Sequence, residues 1–148
     1  MLEIVSNSEI ETMQIAEKIA KQLKKGDVIV LSGELGSGKT KFTEGILKYF
    51  GLENEISSPT FTIVNEYNSS NVNIYHFDVY RIADIDEFYA IGGEEYFEKG
   101  ISIIEWGEIV EEILPPNYVK ISFSRNENEI YKRILKFEFH GDSNLKII

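Results

Sequence analysis

Apolar and polar positions along the chain fall into blocks of helical and strand periodicity, separated by glycine, proline and asparagine. Residues 2–5 suit a short strand. Ser8 and Glu11 form an S-x-x-E capping box that opens a helix running to about Lys24. Ile15, Ile19 and Leu23, with Ala16 and Ala20 alongside, recur at helical spacing and predict its core face. Lys24, Lys25 and Gly26 supply a helix stop, with cations near the negative end. Val28 to Leu31 is an uninterrupted apolar run, which predicts a buried strand. A second helix runs from about Lys39 to Phe50, and Gly51 ends it.

Glu53 to Ser58 reads as loop, and Pro59 biases Ser58 toward extended backbone. Thr60 to Tyr67 alternates as a strand, Asn68 to Asn71 turns, and Val72 to Asp78 returns, which predicts an antiparallel hairpin. Residues 84–98 predict short, irregular helix broken at Gly92-Gly93. Ile101 to Ile104 is a second buried strand, ending at Glu105. The helical turn after it is stopped by Pro115-Pro116. Tyr118 to Ser124 and Ile130 to His140 alternate around the polar turn Arg125 to Glu129, giving a second hairpin. The pattern predicts an α/β fold, a mixed sheet with flanking helices and antiparallel hairpins, too rich in hairpins for a pure βαβ repeat. With 148 residues and neither repeats nor a linker, the expectation is one domain over 1–148.

The two buried strands differ at their carboxyl ends. The first runs into Gly33-x-x-x-x-Gly38-Lys39-Thr40, the phosphate-binding P-loop pattern, here in its required strand–turn–helix context. The glycines permit a turn whose N–H groups converge on one anion. The helix adds its positive end. Lys39 offers a mobile charge to the outer phosphates, and the Thr40 hydroxyl suits Mg²⁺. The fold expectation therefore sharpens to a P-loop NTPase-like sheet that binds a nucleoside triphosphate.

A P-loop protein that hydrolyses its nucleotide needs a second acid near Mg²⁺ at the end of a buried strand, and a group to position the attacking water. Glu105 has the first placement. Asp78 is a candidate for the second: alternation puts His76, Asp78 and Tyr80 on one face, opposite Tyr75, Phe77 and Val79. Only two histidines are present, which disfavours a multi-histidine metal site. Ser57-Ser58-Pro59-Thr60 stands where switch loops lie, so Thr60 is a candidate sensor of the terminal phosphate. Trp106 is read chiefly as a core aromatic. Arg81, Arg125 and Arg133 are possible phosphate or adenine-side contacts.

Charge narrows the role. With 25 acids and 15 bases the net charge is −10, which argues against autonomous nucleic-acid binding, since that affinity comes from neutralising phosphates. Any link to RNA is expected through a basic protein partner. No apolar run approaches the ~20 residues of a membrane span. The absence of cysteine excludes disulfides, and no secretory pattern opens the chain. The expected location is the cytoplasm.

Four segments in order resemble one family, the bacterial TsaE ATPases of tRNA threonylcarbamoyladenosine biosynthesis. They are Gly33-Glu-Leu-Gly-Ser-Gly-Lys-Thr40, Ser58-Pro-Thr-Phe61, His76-Phe-Asp-Val-Tyr-Arg81 and Ile104-Glu-Trp106, within a likeness spanning roughly 8–140. The resemblance implies a P-loop fold and an ATPase that is weak alone. It also implies work in a complex with the threonylcarbamoyl-transferring subunit (TsaD) and its inactive paralogue (TsaB), with tRNA met only indirectly. Carried over by position, Leu35, Gly36, Ser37, Gly38, Lys39 and Thr40 cradle ATP or ADP. Thr40 and Glu105 hold Mg²⁺, Asp78 serves hydrolysis, and Thr60 falls in the switch-like segment. Glu9 and Glu129 are the positions nearest the family's adenine side. One departure is Lys41, where family members often carry a second threonine.

Two other readings are weighed against an ATPase cycle. A small-molecule kinase would need an acceptor pocket and an arginine-bearing lid, for which the chain has neither length nor an arginine cluster. A GTPase would need an Asn-Lys-x-Asp motif, which is absent. A nucleotide-gated assembly protein without turnover would keep the same pocket, and only measured phosphate release separates it.

Overall fold

The computed structural model describes residues 2–34, 37–52, 54–55, 64–79, 84–106, 110–126 and 128–141. Among them, seven strands form one sheet: β1 (Leu2–Ser6), β2 (Val28–Ser32), β3 (Val64–Asn68), β4 (Asn73–Asp78), β5 (Ile101–Glu105), β6 (Tyr118–Asn126) and β7 (Glu129–His140). Their order is β1-β7-β6-β2-β5-β4-β3. The pairs β2–β6, β2–β5 and β4–β5 are parallel, while both edges are antiparallel. The two expected hairpins are thus present as β3–β4 and β6–β7. Of the strand expected over Thr60 to Tyr67, residues 60–63 lie outside the described residues.

Helices α1 (Glu9–Ala20) and α2 (Lys39–Tyr49) cover one face of this sheet. Their cluster joins Ala16, Ile19, Phe42, Ile46 and Leu47 to Ile29, Leu31, Ile103, Ile121 and Phe137. The other face holds α3 (Ile85–Ala90), α4 (Gly93–Lys99) and α5 (Val110–Ile113), with Phe88, Phe97 and Ile113 packed on Val30, Phe77 and Ile104. Strand β2 is buried on both faces, which is why its sequence is continuously apolar rather than alternating.

The start of α1 is where the capping pattern predicts it, with the Ser8 hydroxyl accepting from the Glu11 N–H at 3.1 Å. The Glu11 carboxylate accepts from Asn7 N–H, one residue before the cap. The helix ends at Ala20, not near Lys24. Gln22 and Leu23 N–H groups bond three residues back, to Ile19 and Ala20, so a tight turn replaces the last helical turn. Leu23 nonetheless stays in the core, which is why the apolar spacing overruns the helix.

Close approach of α1 and α2 depends on Gly45. A Cβ there would lie 2.6 Å from the Met13 carbonyl oxygen and 2.7 Å from Ala16 Cβ. Gly45→Val is therefore expected to destabilise the fold by about 1–3 kcal/mol through overpacking. A shift in the urea midpoint at unchanged slope checks this, and an unshifted midpoint would mean the helices separate freely.

Candidate functional site

Strand β2 stops at Ser32, where the chain must leave the sheet plane, and Gly33 makes that exit with φ 144°. A Cβ on Gly33 would stand 2.7 Å from the Phe123 carbonyl oxygen and 2.8 Å from Ser37 Oγ. Backbone of β6 thus presses on the loop, and only glycine fits. The Ser37 N–H donates to the Glu34 carbonyl at 3.1 Å, folding the loop back. Leu35 and Gly36 lie outside the described residues.

Gly38 is the N-cap of α2, with φ 113° and no side chain to bond the first helical N–H groups. The first turn also lacks any acid, the usual companion of a helix start, and carries Lys39 instead. Ser37 Oγ is buried with no hydrogen-bond partner among the described residues. A helix start without a side-chain cap, its positive end, a lysine and a buried hydroxyl without a partner among the described residues converge here. Such a set suits an anion rich in acceptor oxygens.

The sheet register brings acids to the same end. Asp78 of β4 is the partner of Glu105 of β5, and Glu105 is the partner of Leu31 of β2. These are carboxyl ends of parallel strands, where ligands bind in open α/β sheets. Alternation settles the faces. Tyr75, Phe77 and Val79 pack in the cluster away from α2. His76 and Asp78 therefore fall on the α2 side, as do Ile103 and Glu105.

His76 is only 5% exposed. Its Nε2 lies 3.7 Å from Glu105 Oε1, beyond hydrogen-bond length but within reach of a charge interaction. Burial pushes the Glu105 carboxyl pKa up, yet His76 and the Lys39 ammonium more than offset this, and the net pKa lies below the ordinary carboxylate value. Glu105 is thus held as an anion within the electrostatic reach of the P-loop lysine. Among the described residues, no group of three or more His, Asp or Glu side chains is placed to hold a metal ion.

Between the loop and the β6–β7 hairpin opens a cleft of about 550 Å³, lined by Gly33, Ser37, Phe123, Arg125, Asn126 and Ile130 among others. Arg125 and Arg133 are direct partners across the hairpin. The Arg133 stem passes within 4.0 Å of a Cβ built on Gly38, and its Nη1 donates to the Ile130 carbonyl at 2.6 Å. Two like charges opposite one another are unfavourable unless an anion faces them. A larger groove of about 730 Å³ runs past Lys21, Lys24 and Tyr49 and touches none of these site residues.

The other candidates are scattered around this centre. Lys41 bridges the two helices, 3.9 Å from Glu9 and 3.2 Å from Glu44. Glu9 stands exposed in the first turn of α1, and Glu129 opens β7, 3.0 Å from Lys132. Neither lines the cleft beside Gly33. Thr60 and Arg81 lie outside the described residues. Trp106, though next to Glu105 in the chain, faces the other way. Its ring packs with the α3–α5 cluster and carries the Lys120 ammonium 3.9 Å from its centre, while its backbone N–H donates to the Leu31 carbonyl at 2.7 Å. Phe123 and Ile130 are site residues that sequence reasoning misses. Their only signal is a place in a strand, because their contact with the loop comes from sheet order.

The family model described as threonylcarbamoyl adenosine biosynthesis protein TsaE matches residues 6–135. The tRNA threonylcarbamoyladenosine biosynthesis protein TsaE of Bacillus subtilis is 43% identical over 124 residues, covering 81% of this chain and 77% of its own. The protein of the same name from Rickettsia prowazekii is 37% identical over 139 residues, covering 90% and 96%. The crystal structure of Bacillus subtilis YdiB aligns with a TM-score of 0.74 at 34% identity, over 95% of this chain and 86% of that one.

Proposed function

The chain belongs to the TsaE family, and on that premise we propose that it binds and hydrolyses ATP in support of tRNA threonylcarbamoyladenosine formation. One observation carries the reading. The register sets the Glu105 carboxylate beside Leu31, at the carboxyl end of the strand that runs through Gly33 to the start of α2, which has no side-chain cap.

The residues present fit the groups this activity requires. Loop residues 35–40 would hold the phosphates, where Ser37 Oγ has no partner among the described residues and Gly33 leaves no room for a side chain. The Thr40 hydroxyl and Glu105 carboxylate offer the hard oxygen donors that suit Mg²⁺, which supplies charge neutralisation when bound. Lys39 would add its charge to the outer phosphates. Asp78, the register neighbour of Glu105, is assigned to orient the attacking water. Thr60 belongs to the proposed switch segment, while Glu9 and Glu129 are assigned to the adenine side.

Turnover is proposed to be slow alone and raised by partners, namely the threonylcarbamoyl-transferring subunit and its paralogue. Hydrolysis would change the surface offered to them rather than act on the tRNA base. Phosphate release from ATP, measured with the chain alone and with both partners added, tests this. Stimulation by about tenfold or more is expected. Assembly on ATP without any rise in release would replace the hydrolytic cycle with nucleotide-gated assembly.

A further inference from the structure

His76 is a polar side chain in an apolar setting. Its strand neighbour Ile74 and its register partner Ile103 are both fully buried in the core beneath α1 and α2. His76 itself is 5% exposed, and neither ring nitrogen has a hydrogen-bond partner among the described residues. A leucine or phenylalanine would satisfy packing there without burying two unsatisfied nitrogens. What distinguishes the histidine is its reach. It sits diagonally across the β4–β5 pair from Glu105, and its Nε2 is 3.7 Å from Glu105 Oε1.

We propose that His76 is a positioning residue that fixes the orientation of the Glu105 carboxylate, so that this oxygen pair is presented toward the start of α2. The inference rests on reading Glu105 as the Mg²⁺ carboxylate. A side chain that carries a ligand oxygen needs a partner outside the metal's own shell, or it swings between rotamers and binds weakly. Glu105 is the last residue of strand β5. His76 comes from the neighbouring strand β4 and is buried, with its Nε2 near the Glu105 carboxylate. The charge effect of His76 on Glu105 agrees with this geometry.

Calorimetric titration of the full chain with ADP, with Mg²⁺ and with a chelator in its place, tests the role. The quantity read is the gain in ADP affinity that Mg²⁺ confers. In the wild-type chain a gain is expected. His76→Leu should leave chelator-state affinity unchanged within about twofold and cut the Mg²⁺ gain by about tenfold or more. His76→Gln, whose amide nitrogen reaches the Nε2 position, should retain most of the gain. His76→Asn, whose amide stops short of it, should lose the gain as the leucine variant does. The Gln and Asn pair carries the test if the leucine variant fails to fold. A full Mg²⁺ gain in His76→Leu, or equal gains in the Gln and Asn variants, would overturn the positioning role. A wild-type chain whose ADP affinity ignores Mg²⁺ would sink the Glu105 reading itself, and this inference with it.

Discussion

Lys39→Ala is expected to weaken ATP and ADP binding by roughly 30- to 700-fold. Lys39 opens α2, whose N-cap Gly38 offers no side-chain hydrogen bond and whose first turn carries no acid. Removing one partner of a desolvated charge pair costs about 2–4 kcal/mol, and each ~1.4 kcal/mol is a decade in affinity. The loss should be larger for ATP than for ADP, because the ammonium is assigned to the outer phosphates. Folding should survive. Alanine is the best helix former, and the bond from Thr43 Oγ1 to the residue 39 carbonyl uses only the backbone of residue 39. Equal affinity of wild type and variant in calorimetry, at unchanged urea midpoint, would remove Lys39 from the site.

Glu105→Gln should lower metal-dependent ATP hydrolysis by about two to three decades, since a Lewis-acid metal contributes several kcal/mol to such a transition state. Binding of ADP in chelator should be nearly unchanged, because the phosphates are assigned to the loop and not to this carboxylate. The two substitutions thus separate: one removes binding, the other removes turnover. The glutamine is nearly isosteric, but the fold favours the charged carboxylate on balance, so a small loss of stability is expected at neutral pH, where the carboxylate is ionised. Phosphate release at saturating ATP and Mg²⁺, in the presence of partner proteins, gives the comparison. Wild-type turnover in Glu105→Gln would sever the carboxylate from the metal.

The elements nearest the phosphate loop are legible in the sequence because their signals are local. A continuous apolar run marks β2, Gly38-Lys39 marks the start of α2, and Ser8 with Glu11 marks the start of α1. Strand alternation likewise places Asp78 and His76 on one face. What sequence does not supply is register. The contact of His76 with Glu105 joins residues on different strands, and the press of Phe123 on Gly33 needs β6 to lie beside β2. No spacing rule along one chain encodes that. Adjacency also misleads where it carries least information: Trp106 comes directly after Glu105, but the strand's pleat continues past it, so consecutive side chains leave by opposite faces. The overrun of α1 has a similar origin, since Leu23 keeps the apolar period after the hydrogen-bonding pattern has changed.

The sheet order has a consequence for how the molecule comes into being. The loop's strand β2 gains both of its hydrogen-bonded neighbours, β5 and β6, from the second half of the chain, and β1 pairs with β7 near the other end. A nascent chain emerges at about 5–20 residues per second, so for seconds after the glycine-rich loop leaves the ribosome it has neither Phe123 to press on it nor Glu105 beside it. Long-range pairings of this kind also slow the search for the native state. An N-terminal fragment ending before β5 would therefore carry the whole phosphate-binding motif and still have no site.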